Sequence, residues 1–214
     1  MFITSRMTTN PVTATNDMTI QAADALMKQE KVHILPVLDD NQKLVGIISE
    51  KDILKAMPSP VSTLSAYEMN FLISQLTVKK IMSRNPLTIT KDATVEEAAR
   101  LMLDRHISCL PVVDGTKLIG IVTKTDMLNM LIEMFGARNF GVRVECLLDN
   151  RPGVLASLSK ALADNNIQIV TTSVLNGPDA TSAVCIIKVQ GADKKTVTKI
   201  FKEYTLDILD VREL

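Results

Sequence analysis

The chain has 214 residues, 46% of them hydrophobic, so it is long enough for one large or two modest globular domains. Its 24 basic and 24 acidic residues cancel and only 3% are aromatic, which disfavours nucleic-acid binding because neither basic charge nor stacking surface is in excess. No apolar run is as long as a membrane span, and the amino terminus lacks a basic region followed by an apolar stretch.

The chain contains an internal repeat. Placing Met82 beneath Met7, an offset of 75 positions, gives 14 identities over the 33 positions up to Asp39, where unrelated segments would give roughly two. After a one-residue deletion the match resumes and pairs residues 43–52 with residues 117–126. We expect the two copies to pack as one pseudo-symmetric body, with a cleft between them as the first place to look for function.

Each copy predicts a strand, a helix, two hairpin strands and a second helix. A threonine N-cap opens each first helix, and Thr94 with Glu97 has the spacing of a capping box. Ser49 and Thr123 stand where each hairpin passes into the next helix. The first helix and the hairpin are predicted at residues 20–29, 34–38 and 44–48 in one copy and at 95–105, 109–113 and 118–122 in the other.

Two further regions follow different patterns. Met57-Pro-Ser-Pro60 predicts a helix stop, and the apolar spacing over residues 62–76 predicts a linker helix. From Phe140 the sequence matches neither copy and predicts the order βαββαβ, a small sandwich with its helices on one face of the sheet. Its elements are predicted at residues 141–148, 154–163, 167–174, 183–189, 194–204 and 208–213. The expected fold class is α+β.

The cysteines bear on the cellular compartment. They are odd in number, far apart in the sequence and embedded in apolar runs, at Cys109, Cys146 and Cys185. This pattern is typical of buried thiols in a reducing compartment. We therefore expect a cytoplasmic, unexported protein.

The repeats resemble CBS domains, and the pair is similar to a Bateman module. The family motif Gly-x-x-Ser/Thr-x-x-Asp occurs twice, as Gly46, Ser49 and Asp52 and as Gly120, Thr123 and Asp126. The last part resembles an ACT domain in its strand order and its Asp149-x-x-x-Gly153-Val-Leu turn, and the linker resembles that of AcuB-type acetoin-utilisation proteins. The resemblance divides the chain into CBS repeat 1 (1–57), a linker helix (58–77), CBS repeat 2 (78–135) and an ACT domain (136–214).

The CBS resemblance implies a regulatory cleft for an adenosine-containing ligand such as AMP, ADP, ATP or S-adenosylmethionine. In the family the motif Asp holds the ribose hydroxyls, the Ser/Thr lies near the ribose or phosphate, and the backbone before Pro-Val lines the adenine pocket. The nucleotide-binding residues implied here are Thr13, His33, Ile34, Pro36, Ser49, Asp52, Thr88, Ser108, Cys109, Pro111, Thr123 and Asp126.

The motif also has a physical interpretation. Glycine at the strand end would let a ligand approach the backbone, and the N–H groups of the following helical turn favour a phosphate. A carboxylate three residues after the Ser or Thr can accept hydrogen bonds from a diol, but the same spacing is a capping box that needs no ligand. His33 could face the cleft or be a structural residue. The candidate phosphate contacts, equally interpretable as solvated charges, are Arg6, Lys51, Arg84 and Lys124.

The ACT-like turn has two interpretations as well. Its residues Asp149, Asn150, Gly153 and Val154 could receive the carboxylate of an amino acid, or could simply connect a strand to a helix. ACT-like domains also pair subunits, which is the role we favour. Exposed apolar helices and sheet edges predict a homodimer or a larger assembly.

Catalytic motifs are missing from the sequence. It has no Gly-x-Ser-x-Gly and no Gly-x-Gly-x-x-Gly, and Gly115-x-x-x-x-Gly120 is not followed by Lys. With only two histidines and no closely spaced cysteines, the sequence offers few ligands for a metal and little support for Cys-His nucleophilic chemistry. We expect a non-catalytic regulator of a further, unidentified protein, without a bound metal; a ligand-independent scaffold is the main alternative, and a cryptic enzyme or DNA-linked regulator is disfavoured.

Overall fold

A computed structural model describes residues 1–57, 71 and 73–214 of the chain. They divide into two compact units, Met1–Met127 and Leu128–Leu214. The predicted linker helix at residues 62–76 lies for the most part outside the described residues. Over the described ranges, no helix is both long and apolar enough to cross a bilayer.

The repeats form the first unit. In the first repeat and the segment that follows it, the elements are β1 (Thr8–Thr9), β2 (Ala14–Thr15), α1 (Ile20–Glu30), β3 (Ile34–Leu38), β4 (Leu44–Ser49), α2 (Glu50–Ala56), α3 (Val78–Ile81) and β5 (Ser83–Arg84). In the second repeat they are β6 (Ile89–Thr90), α4 (Val95–Asp104), β7 (Cys109–Asp114), β8 (Lys117–Thr123) and α5 (Lys124–Met134), the last of which runs into the second unit. The predicted helix and hairpin of each repeat are confirmed to within one or two residues.

Local sequence explains where the helices begin and end. Thr94 accepts a hydrogen bond from the Glu97 N–H, and Glu97 accepts one from the Thr94 N–H at 2.7 Å, so the predicted capping box forms. Thr19 caps α1 through its hydroxyl alone. Helix α2 ends at Ala56, immediately before Met57 and the prolines of the predicted helix stop.

The two repeats exchange their entering strands, which the sequence did not predict. One sheet has the order β2-β3-β4-β5 and the other the order β1-β8-β7-β6. Strand β1 therefore leaves the first repeat and pairs antiparallel with β8 of the second, through Thr8 opposite Ile121. Strand β5, which opens the second repeat, pairs with β4 of the first, through Arg84 opposite Gly46.

The same exchange is visible in the backbone hydrogen bonds. The Ile3 N–H donates to Ala93 O at 2.9 Å, and its counterpart in the repeat, the Val78 N–H, donates to Met18 O at 2.8 Å. Both side chains are fully buried. Each repeat thus lends an apolar residue and an edge strand to the other, which makes the pair one interlocked body.

The second unit has the predicted order βαββαβ. Its elements are β9 (Val142–Asp149), α6 (Val154–Asp164), β10 (Gln168–Asn176), β11 (Ser182–Gln190), α7 (Lys194–Tyr204) and β12 (Asp207–Glu213). All neighbouring strands are antiparallel in the order β10-β11-β9-β12. The alternating burial of β9 turns Val142, Val144, Cys146 and Leu148 toward a core that includes Phe201 of α7.

The opposite face of this sheet holds a buried lysine. Lys188 is only 2% exposed, and its ammonium group donates to Gly136 O at 2.7 Å and to Asn139 O at 2.8 Å. Because a buried ammonium group needs such acceptors, the lysine fixes residues 136–139 to the sheet. The face predicted to be free of helices is therefore partly covered by the unit's own chain.

Two cysteines that are far apart in the sequence meet in this unit. Cys146 of β9 lies directly opposite Cys185 of β11, and both are fully buried. The Cys146 Sγ lies 3.6 Å from the Cys185 carbonyl oxygen, and all three cysteines are free thiols. The expectation of buried thiols is confirmed. That Cys146 and Cys185 lie opposite each other could be seen only from the register of the sheet.

Candidate functional site

The two strand-to-helix junctions of the repeats have the same geometry. At the first junction, Asp52 Oδ2 accepts hydrogen bonds from the Ser49 N–H at 2.9 Å and the Ser49 hydroxyl at 2.6 Å. At the second, Asp126 Oδ2 accepts from the Thr123 N–H and the Thr123 hydroxyl, both at 2.7 Å. The capping role left open by the sequence is therefore present in both copies.

Capping occupies only one oxygen of each carboxylate. All of these bonds end on Oδ2, and within the described part of the chain Oδ1 of Asp52 and of Asp126 accepts none. Both side chains are half-buried rather than enclosed. Each carboxylate can therefore hold its helix and still accept a hydrogen bond from a ligand hydroxyl, so the two interpretations are compatible.

A cavity of about 590 Å³ lies beside Asp126 within the first unit. We call it the Asp126 cavity; its volume lies in the range of small-molecule sites. Both repeats contribute to its wall. The lining residues are Thr8, Asn10, Pro11, Val12, Lys31, Val32, His33, Ile34, Ser108, Ile121, Thr123, Lys124, Thr125 and Asp126.

The structure brings five of the predicted site residues to this cavity and places others elsewhere. His33, Ile34, Ser108, Thr123 and Asp126 line it. Ser49 and Asp52 form the separate first junction described above. Thr13 is half-buried just before β2, and Thr88 lines a different depression beside α4.

Three predicted adenine-pocket residues are buried in the sheets. Pro36 and Pro111 lie inside β3 and β7, and neither lines the Asp126 cavity. Cys109 is 7% exposed, and burial raises the pKa of its thiol to about 11. The thiol therefore stays protonated at neutral pH, so Cys109 is not poised as a nucleophile.

The motif glycines have a structural role at the crossing of the exchanged strands. A Cβ atom on Gly120 would collide with the Met7 sulphur and lie 3.0 Å from Thr8 O, and one on Gly46 would collide with Met82 and lie 3.1 Å from Ser83 O. Both neighbours belong to the exchanged segments. Glycine at these positions therefore makes room for the crossing strand, and the expectation that it also lets a ligand approach the backbone stays a prediction.

Several cavity residues were not singled out from the sequence, among them Asn10, Pro11, Val12 and Lys31. Asn10 and its counterpart Asn85 both have a positive φ, 48° and 49°, where the chain passes between the two sheets. The repeated Asn-Pro pair was the available signal, because Asn tolerates this backbone conformation better than most residues. The sequence alone did not show that the chain crosses from one sheet to the other at this pair.

The candidate phosphate contacts are not equivalent. Lys124 lines the Asp126 cavity, together with Lys31 and His33. Arg84 donates to Lys79 O at 3.4 Å, and Arg6 donates to the Met1 sulphur at 3.2 Å. His33 Nδ1 lies 2.9 Å from Glu50 Oε2, so a carboxylate of the first junction meets this histidine at the cavity wall.

The turn of the second unit makes bonds of its own. The Asn150 N–H donates to Thr181 O at 2.8 Å, and the Asp149 carboxylate accepts from Arg151 at 2.6 Å. Gly153 has φ 92° and its O accepts from Ser157, while Val154 begins α6. The turn is thus well explained as a strand-to-helix connection.

Comparison with known proteins places the first unit in a family. The CBS domain model matches residues 3–59 and 78–133. A CBS domain-containing protein of Dictyostelium discoideum is 35% identical over 119 residues, which cover 55% of this chain and 82% of that protein. An L-aspartate semialdehyde sulfurtransferase of Methanocaldococcus jannaschii is 33% identical over 118 residues, but they cover only 20% of that enzyme.

Solved structures agree with this match. A Vibrio cholerae protein named as an acetoin utilization protein (AcuB) has a TM-score of 0.53 and 28% identity, over 64% of this chain and 95% of the other. The CBS domain pair of protein MJ0100, crystallised with 5′-methylthioadenosine and S-adenosyl-L-methionine, has a TM-score of 0.51 and 30% identity, over 61% and 99%. CBSX2, crystallised with AMP, has a TM-score of 0.50 and 33% identity, over 61% and 96%. The chain belongs to the CBS-domain family and carries a pair of these domains.

Proposed function

We propose that this protein is a non-catalytic regulator that binds an adenosine-containing nucleotide in the cleft between its CBS repeats. The observation that carries the proposal is the Asp126 cavity, in which an uncommitted carboxylate oxygen borders a space large enough for a nucleoside. There Asp126 Oδ1 would accept a ribose hydroxyl, while apolar Val12 and Ile34 would face the adenine.

The structural neighbours support this choice of ligand. Two CBS pairs that align with this chain over about 61% of its length were crystallised with adenosine compounds, one with 5′-methylthioadenosine and S-adenosyl-L-methionine and one with AMP. An adenosine group is common to all three ligands. We therefore propose AMP, ADP, ATP or S-adenosylmethionine as the class of ligand.

Binding would act as a signal only if the ligand prefers one of two conformations. A ligand in the Asp126 cavity would contact both repeats at once, because residues of both line the cavity and their strands are interlocked. We propose that occupancy changes how the repeats pack and so alters an unidentified partner protein. We also retain the cytoplasm as the proposed location.

For the second unit we propose an ACT-type, ferredoxin-like domain whose main role is to pair subunits. The βαββαβ order, the strand order β10-β11-β9-β12 and the exposed edges β10 and β12 support this assignment. Amino-acid binding at Asp149, Asn150, Gly153 and Val154 is the other role we proposed, and the internal bonds of that turn favour pairing. Light scattering should give a homodimer or a larger assembly; a monomer at working concentration would contradict it.

A ligand-independent scaffold is the second candidate function. It is favoured by the caps themselves, because Asp52 and Asp126 each have a structural role without any ligand. A link to acetoin utilisation rests on the similarity to the Vibrio cholerae protein. The domain boundaries given above, at residues 57, 77 and 135, likewise stand as proposals.

Calorimetry on the full chain tests the nucleotide proposal. We expect Asp126→Ala to weaken binding of its adenosine ligand roughly ten- to hundredfold, since a charge-assisted hydrogen bond contributes about 1.5–3 kcal/mol. Glu97→Ala is the matched control because it removes the carboxylate of another capping box, at α4. It should leave the affinity unchanged.

Equilibrium dialysis against AMP, ADP, ATP, S-adenosylmethionine and NAD separates the sensor from the scaffold. Binding of an adenosine compound, or its identification by native mass spectrometry of the purified protein, supports the sensor. If none of these compounds binds, the scaffold is the better description.

A further inference from the structure

The two strand-to-helix junctions, at Asp52 and at Asp126, have the same backbone hydrogen bonds but side chains of different charge. The Glu50 N–H donates to His33 O at 3.1 Å, and the Lys124 N–H donates to Ser108 O at 2.9 Å. Glu50 directly follows the capping residue Ser49, and Lys124 directly follows the capping residue Thr123. Glu50 therefore occupies at the Asp52 junction the position that Lys124 occupies at the Asp126 cavity.

The surrounding side chains increase this difference. Lys31 and His33 line the Asp126 cavity together with Lys124, and within the described ranges neither lysine ammonium group forms an ion pair. The counterpart of Lys31 in the repeat is His106. At the Asp52 junction, Glu50 adds a second carboxylate. The nearby cations are Lys51 and Arg84, which lies opposite Gly46 and donates to Lys79 O.

The carboxylate of Glu50 has a partner at the cavity wall. It lies 2.9 Å from His33 Nδ1, whose side chain is 81% exposed. The histidine thus lines the Asp126 cavity and contacts an acidic residue of the other junction. A phosphate at the Asp126 cavity would meet Lys31 and Lys124 as well as His33 with its Glu50 partner, whereas one at the Asp52 junction would meet Glu50 in the position of Lys124.

We infer that the two junctions differ in the ligand charge they accept: the Asp126 cavity, and not the Asp52 junction, takes an adenosine that carries a phosphate. The inference rests on the proposed nucleotide binding and assigns the phosphate to one of the two junctions. Lys124 and Lys31 hold the phosphate, and Glu50 repels it from the other junction.

Calorimetry of the full chain with AMP and 5′-methylthioadenosine as probes tests this assignment, because the second compound has no phosphate. We expect one AMP site per chain, weakened at least tenfold by Lys124→Glu, while 5′-methylthioadenosine binding changes less than threefold. Lys117→Glu is the matched control: it makes the same charge change at the opposite end of β8 and should leave AMP binding unchanged. Glu50→Lys should add a second AMP site.

The outcomes separate this inference from the proposed function. AMP binding that is lost in Asp52→Ala and kept in Asp126→Ala overturns the charge assignment and leaves nucleotide sensing intact. Equal weakening of both probes by Lys124→Glu also overturns it, since charge selection affects only the phosphate. If neither probe nor any other adenosine compound binds, the proposed function fails and the assignment fails with it.

Discussion

The two units complete their sheets in different ways. In the CBS pair, each sheet contains an edge strand that belongs to the other repeat, so β1 lies beside β8 and β5 beside β4. In the second unit, one antiparallel sheet is built entirely from consecutive elements around a continuous apolar core. Both units have buried apolar cores, so the comparison teaches that the CBS pair depends in addition on small residues at its strand crossings.

The largest effect is expected in the second unit, from Phe201→Ala. Phe201 is fully buried in the core, and removal of a buried phenyl group typically costs about 3–5 kcal/mol of the free energy of unfolding. Hydrogen–deuterium exchange should accelerate in β9 and β11 and stay unchanged in the CBS pair. Equal acceleration in both units would contradict the independence of their cores.

Lys188→Ala should have the next largest effect. It leaves two carbonyl oxygens without their donor on a side chain that is 2% exposed, and unsatisfied buried groups cost about 1–3 kcal/mol each. We expect a loss of about 2–4 kcal/mol by chemical denaturation. Lys199→Ala, on the exposed face of α7, should change stability by less than about 0.5 kcal/mol. A similar loss in both variants would argue against the carbonyl contacts as the cause.

Gly120→Ala tests the crossing in the CBS pair. The new methyl group meets Met7 and Thr8 O, and overpacking of this kind costs about 1–3 kcal/mol. Combining it with Met7→Ala should recover part of the loss, because the two side chains compete for one space. Gly46→Ala with Met82→Ala is the equivalent cycle in the other repeat. If the losses of unfolding free energy in the single variants simply add in both double variants, the methionines of the exchanged segments are not the reason that glycine is needed here.

Thr94→Ala should give the smallest change. It removes the capping hydroxyl of α4, which is worth about 1 kcal/mol. The thermal midpoint should fall by a few degrees, whereas Thr94→Ser should behave like the original protein. A midpoint that falls equally in Thr94→Ser would mean that the methyl group, and not the hydroxyl, stabilises this end of the helix.

The sequence predicted most of the elements because their signals are local. The caps at Thr19 and Thr94 and the β-branched runs of each hairpin determine the helices and strands of the repeats. The order βαββαβ was likewise readable from alternation and turns. These patterns depend on neighbours within a few residues, which is why their bounds agree with the structure to within about two residues.

The misses concern contacts that are distant in the sequence. Strands β1 and β5 have two residues each, too few for a pattern, and their partners lie in the other repeat. The role of Gly46 and Gly120, the contribution of Lys31 to the cavity and the pairing of Cys146 with Cys185 all follow from tertiary register. Pro36 and Pro111 are buried, and their assignment to an adenine pocket, made by resemblance, stays a prediction.

The exchanged strand β1 also has a consequence for biosynthesis. Thr8 pairs with Ile121, so the partner of the first strand is translated roughly 110 residues later, or about 6–20 s later at ribosomal rates of 5–20 residues per second. During that interval the nascent chain carries apolar Ile3 without the second repeat that covers it. The CBS pair can therefore complete its fold only after the second repeat has been translated. A cut between the two repeats would leave each of them without the strand that the other one supplies.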